Sequence, residues 1–149
     1  MELSHVNREG EANMVDISGK AVVKRIAIAS GKIQLQPKTM DLLGKGLLEK
    51  GDVLSCARIA GISAAKKTSD LIPLCHNIPI DKISVDFVPK EDGIEILASA
   101  TCTAKTGIEM EALTAVSVAA LTLYDMCKAA DKAMVITNIH LLEKNKETP

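Results

Sequence analysis

Three groups of side chains in this 149-residue sequence have types and spacings suited to chemistry. The first is Asp125 with Lys128, at the end of the segment KTGIEMEALTAVSVAALTLYDMCK. Asp125 follows Leu121 by four residues and precedes Lys128 by three, so on a helix both charges flank one apolar stripe. A carboxylate and an amine beside apolar surface tune each other's pKa, as general acid–base work requires. A plain salt bridge near a helix end has the same spacing, and spacing alone favours it. The second group is Glu109-Met110-Glu111, where the chain leaves Thr106-Gly107 and enters the same helix. Acids at a helix start are ordinary partners of its dipole. Two carboxylates around a Met also suit the N–H donors of an amino-pyrimidine edge.

The third group is Cys75-His76, inside the Pro-bracketed loop LIPLCHNIPI. Loops of this kind often carry function, although a lone His is more often structural. No second His or acid lies at ligand spacing, so no metal site is expected. A Cys-His nucleophile pair is weak, because adjacent residues on an extended loop point apart. Around these groups lie Lys50, Arg58, Lys66, Lys67, Lys105 and Lys128. No G-x-x-x-x-G-K-[ST] occurs, so any phosphate must be held by lysine side chains; a solvated basic face is the plainer reading.

The elements that must position these groups follow from periodicity. Lys20 to Ser30 alternates as a strand, and Pro37 opens a helix that the pattern extends to about Glu49, against Gly44 and Gly46. Asp52 caps a second helix, Val53 to about Thr68, with a small-residue stripe at Val53, Ala57, Ala60 and Ala64. Asp81–Val88 alternates again, Glu91-Asp92-Gly93 signals a hairpin, and Ile94–Thr103 is the return strand. A long helix, about Glu111–Ala130, carries a core stripe of Leu113, Val116, Ala120, Leu121, Tyr124 and Cys127. Met134–Leu142 closes the chain as a strand. The order β-α-α-β-β-α-β predicts an α+β, ferredoxin-like sandwich: an antiparallel sheet with helices packed on one face. Such a sheet leaves its other face semi-apolar, and oligomerisation is the natural remedy. Residues 1–149 read as one domain, with a flexible arm at about 1–13 and a frayed, charged tail at about 143–149.

Composition narrows the function classes. Hydrophobic residues are 47% and charged residues 25%, as in ordinary globular proteins, but aromatics are only 1%. One Phe, one Tyr and no Trp give no stacking platform for single-stranded nucleic acid, and a net charge of −1 argues against general polyanion binding. No apolar run is expected to reach the roughly 20 residues of a membrane span, and the polar N-terminus is not a signal peptide. Cys56, Cys75, Cys102 and Cys127 are widely spaced and read as buried thiols of a reducing cytoplasm.

Several blocks then join into one resemblance: MVDIS at 14–18, KGDV at 50–53, ARIAGI at 57–62, AAKKT at 64–68, DLIPLCH at 70–76, KTGIEMEALTA at 105–115 and YDMCKA at 124–129. In order and spacing, over nearly the whole chain, they resemble the molybdenum-cofactor biosynthesis protein C family, the cyclic pyranopterin monophosphate synthases. The resemblance implies a lyase that follows an upstream radical SAM GTP cyclase. It would convert the cyclised dihydro-GTP to cyclic pyranopterin monophosphate and pyrophosphate. It implies Asp125 as catalytic acid–base residue, with Lys50 and Lys128 as essential lysines. Leu74, Cys75 and His76 would form one substrate-binding stretch and Met110-Glu111 the other, with Glu109 assisting. Lys66, Lys67 and Arg25 are assigned to the triphosphate on charge and position. Proton transfers and phosphoryl displacement require no redox cofactor, while Mg²⁺ is compatible with a triphosphate. The family's fold is ferredoxin-like, assembled as a homohexamer from three dimers with sites at dimer interfaces. One departure is Asn77, where family members usually carry Pro directly after the LCH. The roles of the tail lysines Lys144 and Lys146 stay open. The competing readings are a non-catalytic ferredoxin-like nucleotide-binding regulatory module and a purely structural assembly subunit.

Overall fold

Every second residue of the sequence from Ile94 to Cys102 is buried, while the residues between are partly exposed. This is the signature of a strand with one face on a core. In the computed structural model, which describes residues 3–46, 48 and 51–147, it is the central strand β3, Gly93–Ala104. The other strands are β1 (Val23–Gln34), β2 (Lys82–Lys90) and β4 (Val135–Glu147). Helices α1 (Pro37–Lys45), α2 (Val53–Lys66), the single turn α3 (Thr68–Leu71) and α4 (Glu109–Cys127) complete the chain. The sheet is antiparallel in the order β2-β3-β1-β4. That is the expected ferredoxin-like arrangement, with α2 and α4 packed on one face.

The β2–β3 turn matches the sequence signal: Lys90 pairs with Gly93 across Glu91-Asp92. Any Cβ on Gly93 would run into the backbone carbonyl of Ile33, so only glycine fits there. On the helix-facing side, Ala27, Ala29 and Ile33 of β1 join Ile96, Ala98 and Ala100 of β3 and Val85 of β2. Small residues dominate where helices come closest. Gly61 of α2 lies against the Ala115 carbonyl and the Ala119 methyl of α4, which lets the two helices approach closely without aromatic filling.

Several boundaries differ from the periodicity. α1 stops at Lys45 because Gly46 adopts a left-handed conformation (φ 65°) and its N–H bonds back to Leu43, ending the helix before Glu49. α2 ends at Lys66, and Thr68 starts the separate turn α3. α4 begins two residues early, at Glu109, and ends at Cys127 rather than Ala130. Its predicted core stripe is half right: Val116, Ala120 and Cys127 are buried, but Leu121 and Tyr124 are 59% and 40% exposed. The charged tail is no tail through Glu147. Residues 143–147 extend β4 and pair with β1, Glu143 opposite Ile28 and Glu147 opposite Lys24. The backbone of β1 offers a ladder to which even a polar strand can bond. α4 also exceeds the membrane expectation, since its 19 residues, at a mean hydropathy of 1.3, are long and apolar enough to cross a bilayer. Here its apolar faces pack against α2 and the sheet instead, as the core helix.

Candidate active site

α4 begins without a side-chain cap, and its first turn carries Glu109 and Glu111 instead. Glu111 is 3% exposed, and Glu109 folds back over Gly107, where any Cβ would collide with its carboxylate. The two acids are driven apart chemically. Burial raises the pKa of Glu111, and the neighbouring Glu109 charge adds to the rise. Burial also acts on Glu109, but its ion pair with Lys144 and the nearby Arg25 charge outweigh it and hold Glu109 low. Glu111 is thus shifted toward holding its proton and Glu109 toward losing it. This is the division that acid–base pairs require.

These acids share a cavity of about 260 Å³ with the loop after α3. Leu74, Cys75, His76, Glu109, Met110 and Glu111 all line it, so the six residues expected in two binding stretches come together in one place. His76 Nε2 lies 2.7 Å from the Val15 carbonyl. The Cys75 thiol is pushed up by burial and by the charges of Glu111 and Glu109, so it is a poor nucleophile. After Asn77, which stands where Pro is expected, Ile78 lines the cavity and both Ile78 and Pro79 line the adjoining clefts.

Beside this cavity lies a second, of about 280 Å³, lined by Arg25, Glu109, Lys144 and Lys146 among others. Arg25 is held by its bonds to the Ala104 and Lys105 carbonyls. Register explains the cluster, because Ala27 pairs with Lys144 and Arg25 with Lys146, placing the tail lysines beside Arg25. The sequence left the roles of Lys144 and Lys146 open, and the pairing of β4 with β1 places both at this cavity. Lys66 and Lys67 do not join either cavity. Both are exposed, and Lys66 lines a separate cleft with Ile80 and Lys82.

Asp125 and Lys128 sit elsewhere. They form an ion pair of 2.9 Å with side chains 56% and 57% exposed, the bridge that their spacing favoured. Fourteen residues of helix separate Asp125 from Glu111, about 21 Å along the axis. α2 runs antiparallel to α4, since its end leads through α3 into the loop beside Glu111. The start of α2, with Asp52 capping the Ser55 N–H, therefore lies near the Asp125 end. Lys50, two residues before Asp52, falls outside the described residues. A residue the sequence did not single out, Asp131, is 2% exposed just past α4. Its carboxylate accepts from the Gln36 N–H and the Thr39 hydroxyl, both at 2.9 Å, and from the Ala133 N–H at 3.0 Å. Burial opposes its charge, but these bonds prevail and hold its pKa low. Among the described residues no cluster of three His, Cys, Asp or Glu side chains could hold a metal ion.

A four-stranded antiparallel sheet covered on one face by α2 and α4, with an acid-lined cavity at the start of α4 and basic residues beside it, defines an α+β protein of the ferredoxin-like class. The chain belongs to the MoaC family, which it matches over residues 14–147. It is 57% identical over 143 residues to a cyclic pyranopterin monophosphate synthase of Novosphingobium aromaticivorans, covering 96% of this chain and 91% of that one. It is 54% identical over 146 residues to cyclic pyranopterin monophosphate synthase 1 of Mycobacterium bovis, covering 97% and 86%. The synthase of Chloroflexus aggregans is 54% identical over 145 residues, covering 96% and 88%.

Proposed function

We propose that this chain is a cyclic pyranopterin monophosphate synthase, a lyase of molybdenum cofactor biosynthesis. Its substrate is the cyclised dihydro-GTP made by an upstream radical SAM GTP cyclase, and its products are cyclic pyranopterin monophosphate and pyrophosphate. The observation that carries this reading is the convergence of Leu74, Cys75, His76, Glu109, Met110 and Glu111 on one cavity in a member of this family. Glu109 and Glu111 face the donor edge of the base, while Arg25 with Lys144 and Lys146 suits the phosphates. Asp125 and Lys128, with Lys50, supply the acid–base chemistry. Mg²⁺ is compatible with the triphosphate, and no group in the site calls for a redox cofactor.

The 21 Å between Asp125 and Glu111 supports a shared site. One subunit presents its Asp125 end to the cavity of another, as in a homohexamer of three dimers. Exposed Leu121 and Tyr124 beside Asp125 supply apolar surface for that contact. Of the four thiols expected to be buried, Cys102 and Cys127 are, and burial holds them up to about 11, whereas Cys56 is exposed and Cys75 half-buried; four free thiols suit a reducing cytoplasm. The test is a pyrophosphate assay with cyclised substrate. Release of pyrophosphate by the purified chain is expected, whereas nucleotide binding without release would leave only a regulatory module.

A further inference from the structure

The cavity has a wall that neither binding stretch supplies. Ser4, His5, Val15, Ile17 and Lys20, all preceding β1, line it together with Glu109 and Glu111. Residues 6–12 fold as a small turn closed by a bridge between Val6 and Ala12, with the Asn7 side chain accepting from the Glu9 and Glu11 N–H groups. The strip is latched at two points. His76 bonds to the Val15 carbonyl at 2.7 Å, and Lys105 Nζ donates to the Ser18 carbonyl at 3.1 Å. A carbonyl only accepts, so His76 Nε2 must carry a hydrogen, and in the neutral ring Nδ1 is left as the acceptor. Among the described residues Lys20 is the only lysine or arginine lining this cavity, since Lys66 and Lys67 lie outside it and Arg25 lines its neighbour.

We infer that residues 3–20 are a strap forming a working wall of the substrate cavity, that Lys20 brings the cation that meets the substrate's phosphate there, and that the strap fixes the tautomer of His76. The inference rests on the nucleotide reading of the cavity. Arg25, Lys144 and Lys146 line the neighbouring cavity, so within this one Lys20 is the side chain placed to meet a phosphate oxygen. Cys75 lines the same cavity as Ser4, His5 and Val15, so the strap would shield its thiol.

Three measurements on the full-length protein test this. In a Cys56→Ser background, excision of residues 2–18 is expected to speed alkylation of Cys75 by iodoacetamide several-fold, since Cys102 and Cys127 are buried and silent. Nitrogen-15 spectra of the His76 ring are expected to show the Nε2–H form in the full chain and a mixed population after excision. An unchanged alkylation rate and an unchanged ring spectrum would overturn the strap. Lys20→Ala in the full chain is expected to raise KM for the cyclised nucleotide about tenfold with kcat within about twofold, and Lys20→Arg to restore it. An unchanged KM would overturn the role of Lys20. Should the unmodified chain release no pyrophosphate, the proposed activity falls and the role of Lys20 with it. The thiol and ring spectra need no substrate and decide the strap by themselves.

Discussion

The two ends of α4 carry the same kinds of side chain in opposite surroundings. At its start, Glu109 and Glu111 are enclosed by Gly107, the loop at 74–76 and Lys144; burial raises Glu111, while the Lys144 ion pair overrides burial at Glu109, and this splits their proton affinities. At its end, Asp125 and Lys128 pair on the surface, where solvent screens them. The single chain encloses the first end by itself. At the second end any enclosure must come from whatever covers Asp125, and the proposed partner subunit would desolvate the pair and raise its stakes.

The largest effect expected at either end is on turnover. Lys128→Ala or Asp125→Ala should lower kcat by about 10²-fold or more, as loss of a general acid or base does. Each should change the stability of the isolated subunit by less than about 1 kcal/mol, as for an exposed pair. Retained turnover in either purified variant would remove these residues from the chemistry. Next is Asp131→Ala, just beyond the same end. It strips the Gln36 and Ala133 N–H groups of their partner and should destabilise the fold by about 2 kcal/mol or more in chemical denaturation. Gly61→Ala acts at the middle of α4, where its methyl would meet the Ala115 carbonyl at 2.9 Å. A cost of about 1–3 kcal/mol, read as a shift in denaturation midpoint, is expected.

The smallest effect separates the two acids by sign. Glu111 has a folded pKa above its ordinary 4.5, so its stabilising contribution is full below that value and is lost as pH rises through the folded pKa. Glu111→Gln should therefore gain stability relative to the unmodified protein as pH increases. Glu109 has the opposite sign: its contribution is present above 4.5 and is lost as pH falls through its lowered pKa. Glu109→Gln should be less stable at neutral pH, with the gap closing in acid. Melting curves from about pH 3 to about pH 8 would show both trends, and parallel trends would break the contrast.

The start of α4 was more legible in the sequence than its end. Alternation in β3, the Gly93 hairpin and the Asp52 cap are local signals, and each appears where the residues put it. The cavity was legible because its two stretches are contiguous blocks that resemble a known family. What escaped depends on partners distant in sequence. Residues 143–147 look like solvent-loving tail until β1 offers its hydrogen-bonding edge, and only that pairing brings Lys144 to Glu109. Leu121 and Tyr124 share a helical period with Val116 and Ala120, yet the stripe is wider than the groove between α2 and the sheet. Asp131 carries no local mark, because its partners at Gln36 and Thr39 are brought to it only by the tertiary fold.

The pairing of that polar stretch has a consequence for how the protein behaves in a crowded solution. An open four-stranded sheet has two raw margins, each a template on which a stray extended chain can grow. β4 closes one margin with the sequence EKNKE and two register shifts near Ile28 and Ser30, with Asn138 at φ 61° where the strand bends. β2 ends the other margin with Pro89 and Lys90. Charge, a bent ladder and a proline that cannot donate are the usual guards against runaway strand addition. Lys144 and Lys146, which line the second cavity, thus also put charge on the strand that forms this margin.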